Sequence, residues 1–183
     1  MAKVLIVIDM VEGYMKDTDN PDKIIGNISR LILAFKKKGN KVILSKPQFG
    51  NKRRNPVMIR LWGEEFKNDP GSQKLVKGLS KFKFDKKIEK VEYSYFFKTD
   101  LEKYCRKHNI TDLYFTGVFS GCCVFFSAVD SAYRVIQPHL VTDASGGPKK
   151  SLVNKNWQQD TFKRFELMIG PVITTKTLIK KMK

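Results

Sequence analysis

The chain has 183 residues, 42% of them hydrophobic, which is enough to bury the core of a single domain spanning residues 1–183 without disulfide bonds or structural metals. Its three cysteines are an odd number, which excludes a complete disulfide framework and is typical of reduced thiols in the cytoplasm. Lysine and arginine total 35 against 18 acidic residues, and the resulting charge of +17 suits a polyanionic partner, although no helix-turn-helix, zinc-finger or RNA-recognition signature accompanies it.

Short apolar runs alternate with helical patterns along the chain. The runs of strand length are residues 4–8, 42–44, 113–116 and 139–142, with a weaker candidate at 172–174. The apolar periodicity predicts helices at residues 22–38, 99–108, 124–135 and 154–168. This alternation predicts an α/β fold, a three-layer α/β/α sandwich with a mostly parallel central sheet and right-handed crossovers.

Other segments depart from this alternation. Residues 46–79 are rich in Gly, Pro, Asn and charge, and long irregular segments inside compact domains are typically functional. The basic residues 180–183 are expected to fray. The opening run 4–8 is too short to cross a bilayer, so we expect no membrane role.

Three reactive side chains fall near the ends of strand-like segments. Asp9 follows the first strand, Lys90 follows the short stretch 86–89, and Cys123 follows the strand 113–116 at the start of a helix. Ligands of parallel α/β sheets bind at the carboxyl ends of the strands, so these side chains are expected to converge.

Their chemistry is complementary. A helix amino end and the Lys90 ammonium are expected to lower the pKa of the Cys123 thiol, because both favour the thiolate. Asp9 is suited to take the thiol proton and return it to a leaving amine. The turn before Cys123 would aim the backbone N–H groups of Phe119 and Cys123 at the oxyanion that forms on attack.

Each residue also has a purely structural interpretation. Cys123 would then be a small buried hydrophobe, Asp9 the cap of a turn and Lys90 a solvated surface side chain. Only the combination of the three favours catalysis.

The same residues resemble a known family. The motifs are residues 4–10, which contain Asp9; residues 90–96, which read K-x-x-Y-S-x-F and precede Thr99 and Leu101; and Gly117 with Cys123, Val124, Ala128 and Asp130. In order and spacing they resemble the isochorismatase-like cysteine hydrolases, the superfamily of nicotinamidases, N-carbamoylsarcosine amidases and isochorismatases. The resemblance implies an Asp9-Lys90-Cys123 triad, a cis peptide between Val118 and Phe119, and a homo-oligomer, either a dimer or a tetramer.

One departure from the family concerns metal binding. Nicotinamidases of the family commonly bind a divalent metal through an Asp and three His after the second strand and in the following loop. Here that region begins with residues 45–49, Ser-Lys-Pro-Gln-Phe, and the chain has only two histidines, His108 and His139, which we expect to be structural. We therefore predict no catalytic metal and no cofactor.

The sequence thus predicts a metal-independent cysteine amidohydrolase that cleaves a C–N bond of a small amide or carbamoyl compound through an acyl-enzyme thioester. Tyr14, Trp62 and Phe119 are the predicted pocket walls, because flat apolar surfaces suit small planar ligands. An isochorismatase-type vinyl ether hydrolase, which needs no cysteine nucleophile, is the alternative enzyme. A basic nucleic-acid-binding protein on a hydrolase fold is the alternative of another class.

Overall fold

The computed structural model describes residues 2–48, 71–149 and 156–182, and every structural statement below refers to these ranges. Their strands form one sheet of six, and all the pairings within it are parallel. The strands are β1 (Ala2–Ile8), β2 (Lys41–Pro47), β3 (Lys86–Lys90), β4 (Ile110–Val118), β5 (Gln137–Gly146) and β6 (Val172–Ile173). Their order across the sheet is β3-β2-β1-β4-β5-β6, which places β1 and β4 side by side at its centre.

Helices cover both faces of this sheet. They are α1 (Glu12–Met15), α2 (Pro21–Lys37), α3 (Lys77–Ser80), α4 (Leu101–Lys107), α5 (Phe125–Tyr133), α6 (Trp157–Met168) and α7 (Thr175–Lys181). Alternate residues of β1 enter two separate cores: Leu5 and Val7 pack with α2, whereas Val4, Ile6 and Ile8 pack with residues of α4, α5 and α6. The predicted three-layer α/β/α sandwich is confirmed.

Strand β3 was not among the predicted strands. Its burial alternates, and only Ile88 and Lys90 point inward while the intervening Glu89 is exposed. It pairs with β2 at the edge of the described sheet, where charged side chains are tolerated. Because Ile88 is the one apolar residue that this strand buries, the sequence shows no apolar run there. Lys90 was predicted to follow the stretch 86–89, but it is the last residue of the strand itself.

The predicted helices occur with shifted ends, and the chain terminus differs from the prediction. Lys180 and Lys181, expected to fray, lie in α7. The Asp143 carboxylate on β5 accepts hydrogen bonds from the backbone N–H of Thr175, at 2.7 Å, and from its hydroxyl, at 2.8 Å. Leu178 is buried, so a contact distant in sequence and one apolar anchor hold this helix on the sheet. None of the described helices is long and apolar enough to cross a membrane.

Candidate active site

The carboxyl ends of β1 and β4 meet at a position that only glycine fits. Gly117 pairs with Ile8 and has φ 102°, and a Cβ there would lie 2.0 Å from the Ile8 carbonyl oxygen. The next residue of β1 is Asp9, itself in the left-handed region with φ 50°. This close approach brings the turn that carries Cys123 beside Asp9.

Lys90 bridges the other two members of the predicted triad. Its Nζ lies 2.8 Å from Asp9 Oδ2 and 3.2 Å from Cys123 Sγ, and it donates a third bond to the Glu92 carbonyl at 3.0 Å. The Asp9 side chain is fully buried and that of Lys90 is 3% exposed. The Ser45 hydroxyl, on β2, donates to Asp9 Oδ1 at 3.3 Å. The structure therefore brings the buried Asp9 and Lys90 together with the half-buried Cys123 in one cluster.

The charges of this cluster differ from the prediction in one respect. Burial raises the pKa of the Cys123 thiol, the Asp9 carboxylate raises it further, and Lys90 offsets only part of the increase. The predicted lowering of this pKa is therefore wrong, because desolvation outweighs the ammonium. Burial by itself would lower the pKa of Lys90, but Asp9 and Cys123 raise it above its ordinary value, so the ammonium stays charged. With the thiol pKa raised, the resting site holds a neutral thiol beside the charged Lys90 ammonium.

The turn that carries the thiol is π-helical and spans Ser120–Val124. It begins just after a cis peptide bond between Val118 and Phe119, as the family resemblance implied. The Phe119 carbonyl accepts hydrogen bonds from the N–H groups of Cys122, at 3.0 Å, and Val124, at 3.3 Å. The use of the Phe119 and Cys123 N–H groups as oxyanion donors stays a prediction.

Two of the three predicted pocket residues lie together. The rings of Tyr14 and Phe119 are 5.6 Å apart between centroids and tilted by 45°. Trp62 lies outside the described residues.

An aromatic residue that the sequence did not indicate contacts the turn instead. The ring of Trp157, at the start of α6, covers Gly121 and Gly147, where added Cβ atoms would come within 2.5 and 2.7 Å of ring carbons. No periodicity links a helix start to two distant glycines, so this contact had no signal in the sequence.

The other two cysteines differ from Cys123 in their surroundings. Cys105 is buried in the core, and burial raises the pKa of its thiol to about 12. Cys122 is half-buried, as Cys123 is, and burial raises its pKa to about 11, but its thiol makes no hydrogen bond to Lys90 among the described contacts. Cys123 is the cysteine that contacts the Lys90 ammonium.

The described residues do not fit the family's metal site. The end of β2 supplies Ser45, Lys46 and Pro47, of which Ser45 already donates to Asp9 and Lys46 carries a positive charge. Among the residues in the described ranges, no group of three or more His, Cys, Asp or Glu side chains could hold a metal ion. His108 packs on Tyr104, and His139 lies 2.8 Å from an Asp112 oxygen, so both have structural contacts. The absence of a catalytic metal stays a prediction, and no step below uses one.

Asp9, Lys90 and Cys123 thus meet at the strand ends of a parallel α/β sandwich, and comparisons with known proteins identify the family. Residues 3–177 match the isochorismatase domain, so the chain belongs to the isochorismatase family and is a hydrolase. The family resemblance stated from the sequence is confirmed.

Individual relatives are more distant. Phenazine biosynthesis protein PhzD of Pseudomonas fluorescens is 28% identical over 144 residues, which cover 77% of this chain and 70% of that protein. The structure of a cysteine hydrolase from Pseudomonas syringae pv. phaseolicola 1448A has a TM-score of 0.86 at 18% identity, and the match covers 98% of this chain and 92% of that hydrolase. The structure of N-carbamoylsarcosine amidase from Thermoplasma acidophilum has a TM-score of 0.78 at 24% identity, and the match covers 96% of this chain and 97% of that amidase. At these identities the two structures show the shared fold.

Proposed function

We propose that this hydrolase is a metal-independent cysteine amidohydrolase that cleaves a C–N bond of a small amide or carbamoyl compound. One observation carries the proposal: the buried Lys90 ammonium contacts both the Asp9 carboxylate and the Cys123 sulfur. A nucleophile, a proton acceptor and a fixed cation within hydrogen-bonding distance are the parts that acyl transfer requires.

The first half-reaction follows from the resting protonation state. As Cys123 Sγ attacks the carbonyl carbon, its proton passes to Asp9, whose carboxylate contacts the same Lys90 ammonium as the sulfur. The N–H groups of Phe119 and Cys123 receive the developing oxyanion. Asp9 then gives the proton to the leaving nitrogen, the C–N bond breaks, and ammonia or a small amine departs from a thioester.

The second half-reaction reverses the proton transfer with water. Asp9 accepts a proton from a water molecule whose oxygen attacks the thioester carbonyl carbon. The C–S bond breaks, the acid product leaves, and the proton returns to the sulfur of Cys123. Lys90 remains charged throughout and stabilises whichever neighbour carries the negative charge, since its pKa is raised.

The raised pKa of Cys123 is consistent with this order of events. A thiol that stays protonated at rest is a poor target for adventitious electrophiles, and it becomes nucleophilic only as Asp9 removes its proton. Tyr14 and Phe119, whose rings are in contact, would hold a flat substrate beside the turn. Assembly into a homo-oligomer remains part of the proposal.

An isochorismatase-type vinyl ether hydrolase is the second candidate, favoured by the match to the isochorismatase domain. Such a reaction protonates an enol ether and needs no thiol, so the Asp9–Lys90 pair alone would be sufficient. The direct contact between Lys90 and Cys123 favours the amide reaction, because a vinyl ether hydrolase gains nothing from it.

The test is a substrate screen with matched cysteine variants. Small amides and carbamoyl compounds are assayed by ammonia release and isochorismate by pyruvate release. Cys123→Ala should lower ammonia release by about 10³-fold or more, because it removes the nucleophile, while Cys122→Ala keeps most of it. Amide hydrolysis that survives in Cys123→Ala would overturn the acyl-enzyme mechanism. Pyruvate release that survives in the same variant would establish the second candidate.

A further inference from the structure

One buried residue, Tyr95, contacts Lys90 itself and residues close in sequence to Asp9 and Cys123. Tyr95 is fully buried in the irregular segment after β3, and the Lys90 Nζ lies 5.8 Å from the centroid of its ring. Its hydroxyl donates to the Val7 carbonyl at 3.1 Å, two residues before Asp9. Its backbone N–H donates to the Ser127 hydroxyl at 3.0 Å, four residues after Cys123.

Ser127 completes the connection to the nucleophile. Its fully buried hydroxyl donates to the carbonyl of Cys123 at 2.6 Å while it accepts the Tyr95 N–H. A helical serine that bonds the carbonyl four residues earlier usually adds little stability. Here the same oxygen also satisfies a buried N–H of a segment that is neither helix nor strand, and leaving such a group unpaired is costly.

A second link holds the same segment to α5. The Ser94 hydroxyl donates to the Asp130 carboxylate and accepts the Phe96 N–H at 3.1 Å. Because this link remains when Ser127 changes, loss of the Ser127 hydroxyl should loosen the segment near Lys90 without releasing it from the helix.

We infer that Tyr95 and Ser127 are positioning residues, which hold the segment directly after Lys90 against β1 and α5 and thereby fix the distance between Lys90 and Cys123. The inference rests on the proposed function, in which that distance matters. Neither residue touches the reacting atoms in this scheme. Both act through the placement of the ammonium.

The consequence is measurable without a known substrate. Lys90 is the group that lowers the pKa of Cys123 against the effect of burial, and its influence weakens as the charges separate. Loosening the Lys90–Cys123 contact should therefore raise the pKa of the thiol and slow its alkylation. A rise of about one unit corresponds to about a tenfold lower thiolate fraction at a pH below that pKa.

The experiment follows iodoacetamide labelling of Cys123 by peptide mapping as a function of pH, in a Cys122→Ser background that removes the adjacent thiol. The variants are Ser127→Ala, Ser127→Thr and Tyr95→Phe. The matched control is Ser131→Ala, on the same helix, because Ser131 is also fully buried but its hydroxyl donates to the Ile136 carbonyl at 2.8 Å. Thermal unfolding of every variant measures the purely structural part of each change.

Ser127→Ala should label Cys123 about tenfold more slowly than its parent and shift the profile to higher pH. Ser127→Thr, which keeps the hydroxyl, should restore the rate, and Ser131→Ala should keep the parent profile despite a comparable loss of stability. A Ser127→Ala profile that is unchanged, or shifted to lower pH, overturns the inference. If Ser127→Ala does not fold, Tyr95→Phe decides the matter: a shift to higher pH supports the inference and an unchanged profile overturns it. The proposed function fails separately, if Cys123→Ala keeps the amide hydrolysis of the parent.

Discussion

Replacing Lys90 with methionine would remove the cation of the cluster and keep most of its apolar stem. Opposite unit charges 2.8 Å apart attract by about 6 kcal/mol at an effective dielectric constant of about 20. Desolvation of both groups offsets much of this attraction, so the ion pair adds little net stability as a pair. Removing one partner is different, because the fully buried Asp9 carboxylate loses its counter-ion. We expect Lys90→Met to lower the free energy of unfolding by about 3–5 kcal/mol.

The same strand supplies the control. Lys86, at the other end of β3, lies 2.7 Å from an Asp100 oxygen, and the Asp100 side chain is 64% exposed. Solvent screens this pair, so Lys86→Met should cost only about 0–1 kcal/mol. The two substitutions remove the same chemical group from the same strand, and they differ mainly in burial.

Urea unfolding of Lys90→Met and Lys86→Met gives the unfolding free energy of each variant, when both are fitted with the same dependence of free energy on urea concentration. A double variant, Asp9→Asn with Lys90→Met, should be more stable than Lys90→Met alone, because the neutral amide of asparagine leaves no unpaired buried charge. The reasoning is refuted if Lys90→Met destabilises the protein no more than Lys86→Met does. The single variant Asp9→Asn is measured as well. The reasoning is also refuted if the double variant loses as much unfolding free energy as Asp9→Asn and Lys90→Met lose in total.

Two further predictions concern other parts of the fold. Gly121→Ala should lower the free energy of unfolding by about 1–3 kcal/mol, because its Cβ would meet the Trp157 ring at 2.5 Å; an unchanged urea midpoint would contradict this. Burial raises the pKa of Cys105 from 9.0 to about 12, so its neutral thiol stabilises the fold below pH 9.0 and that contribution disappears as the pH rises toward 12. The parent should therefore lose stability relative to Cys105→Ala by at most about 1.4 kcal/mol per pH unit in this window, and parallel pH curves would show the idea to be wrong.

The strands that the sequence indicated most clearly are the ones buried on both faces, and the edge strand β6 matched only the weaker candidate at residues 172–174. Residues 4–8 and 113–116 read as continuous apolar runs because β1 and β4 lie at the centre of the sheet between two layers of helices. Strand β3 lies at the edge and buries one apolar side chain, Ile88, so its pattern resembled a charged loop. Burial on two faces leaves a signal in the sequence, whereas an edge position largely removes it.

The candidate site shows the same division. The positions of Asp9 and Cys123 after predicted strands, and of Lys90 after the short stretch 86–89, predicted that the three converge. Oxygen and sulfur atoms of Asp9 and Cys123 lie within 3.2 Å of the Lys90 Nζ. The sign of the change in the pKa of Cys123 was predicted incorrectly. The sign depends on three opposing effects on the pKa, those of burial, of the Lys90 cation and of the Asp9 anion. No sequence pattern indicates how far a thiol in a turn is buried.

By itself, the sequence determined the three-layer parallel fold, because apolar periodicity is a local property. The resemblance of its motifs to a known family indicated the family and the three residues that meet at the strand ends. Only the tertiary structure decided which contacts hold those residues together. The hydrogen bonds of Tyr95 to Val7 and Ser127 join positions 88 and 32 residues apart in the chain, and the ring of Trp157 lies over Gly121. Such contacts follow from the packing of whole layers, and they have no periodicity that a sequence could display.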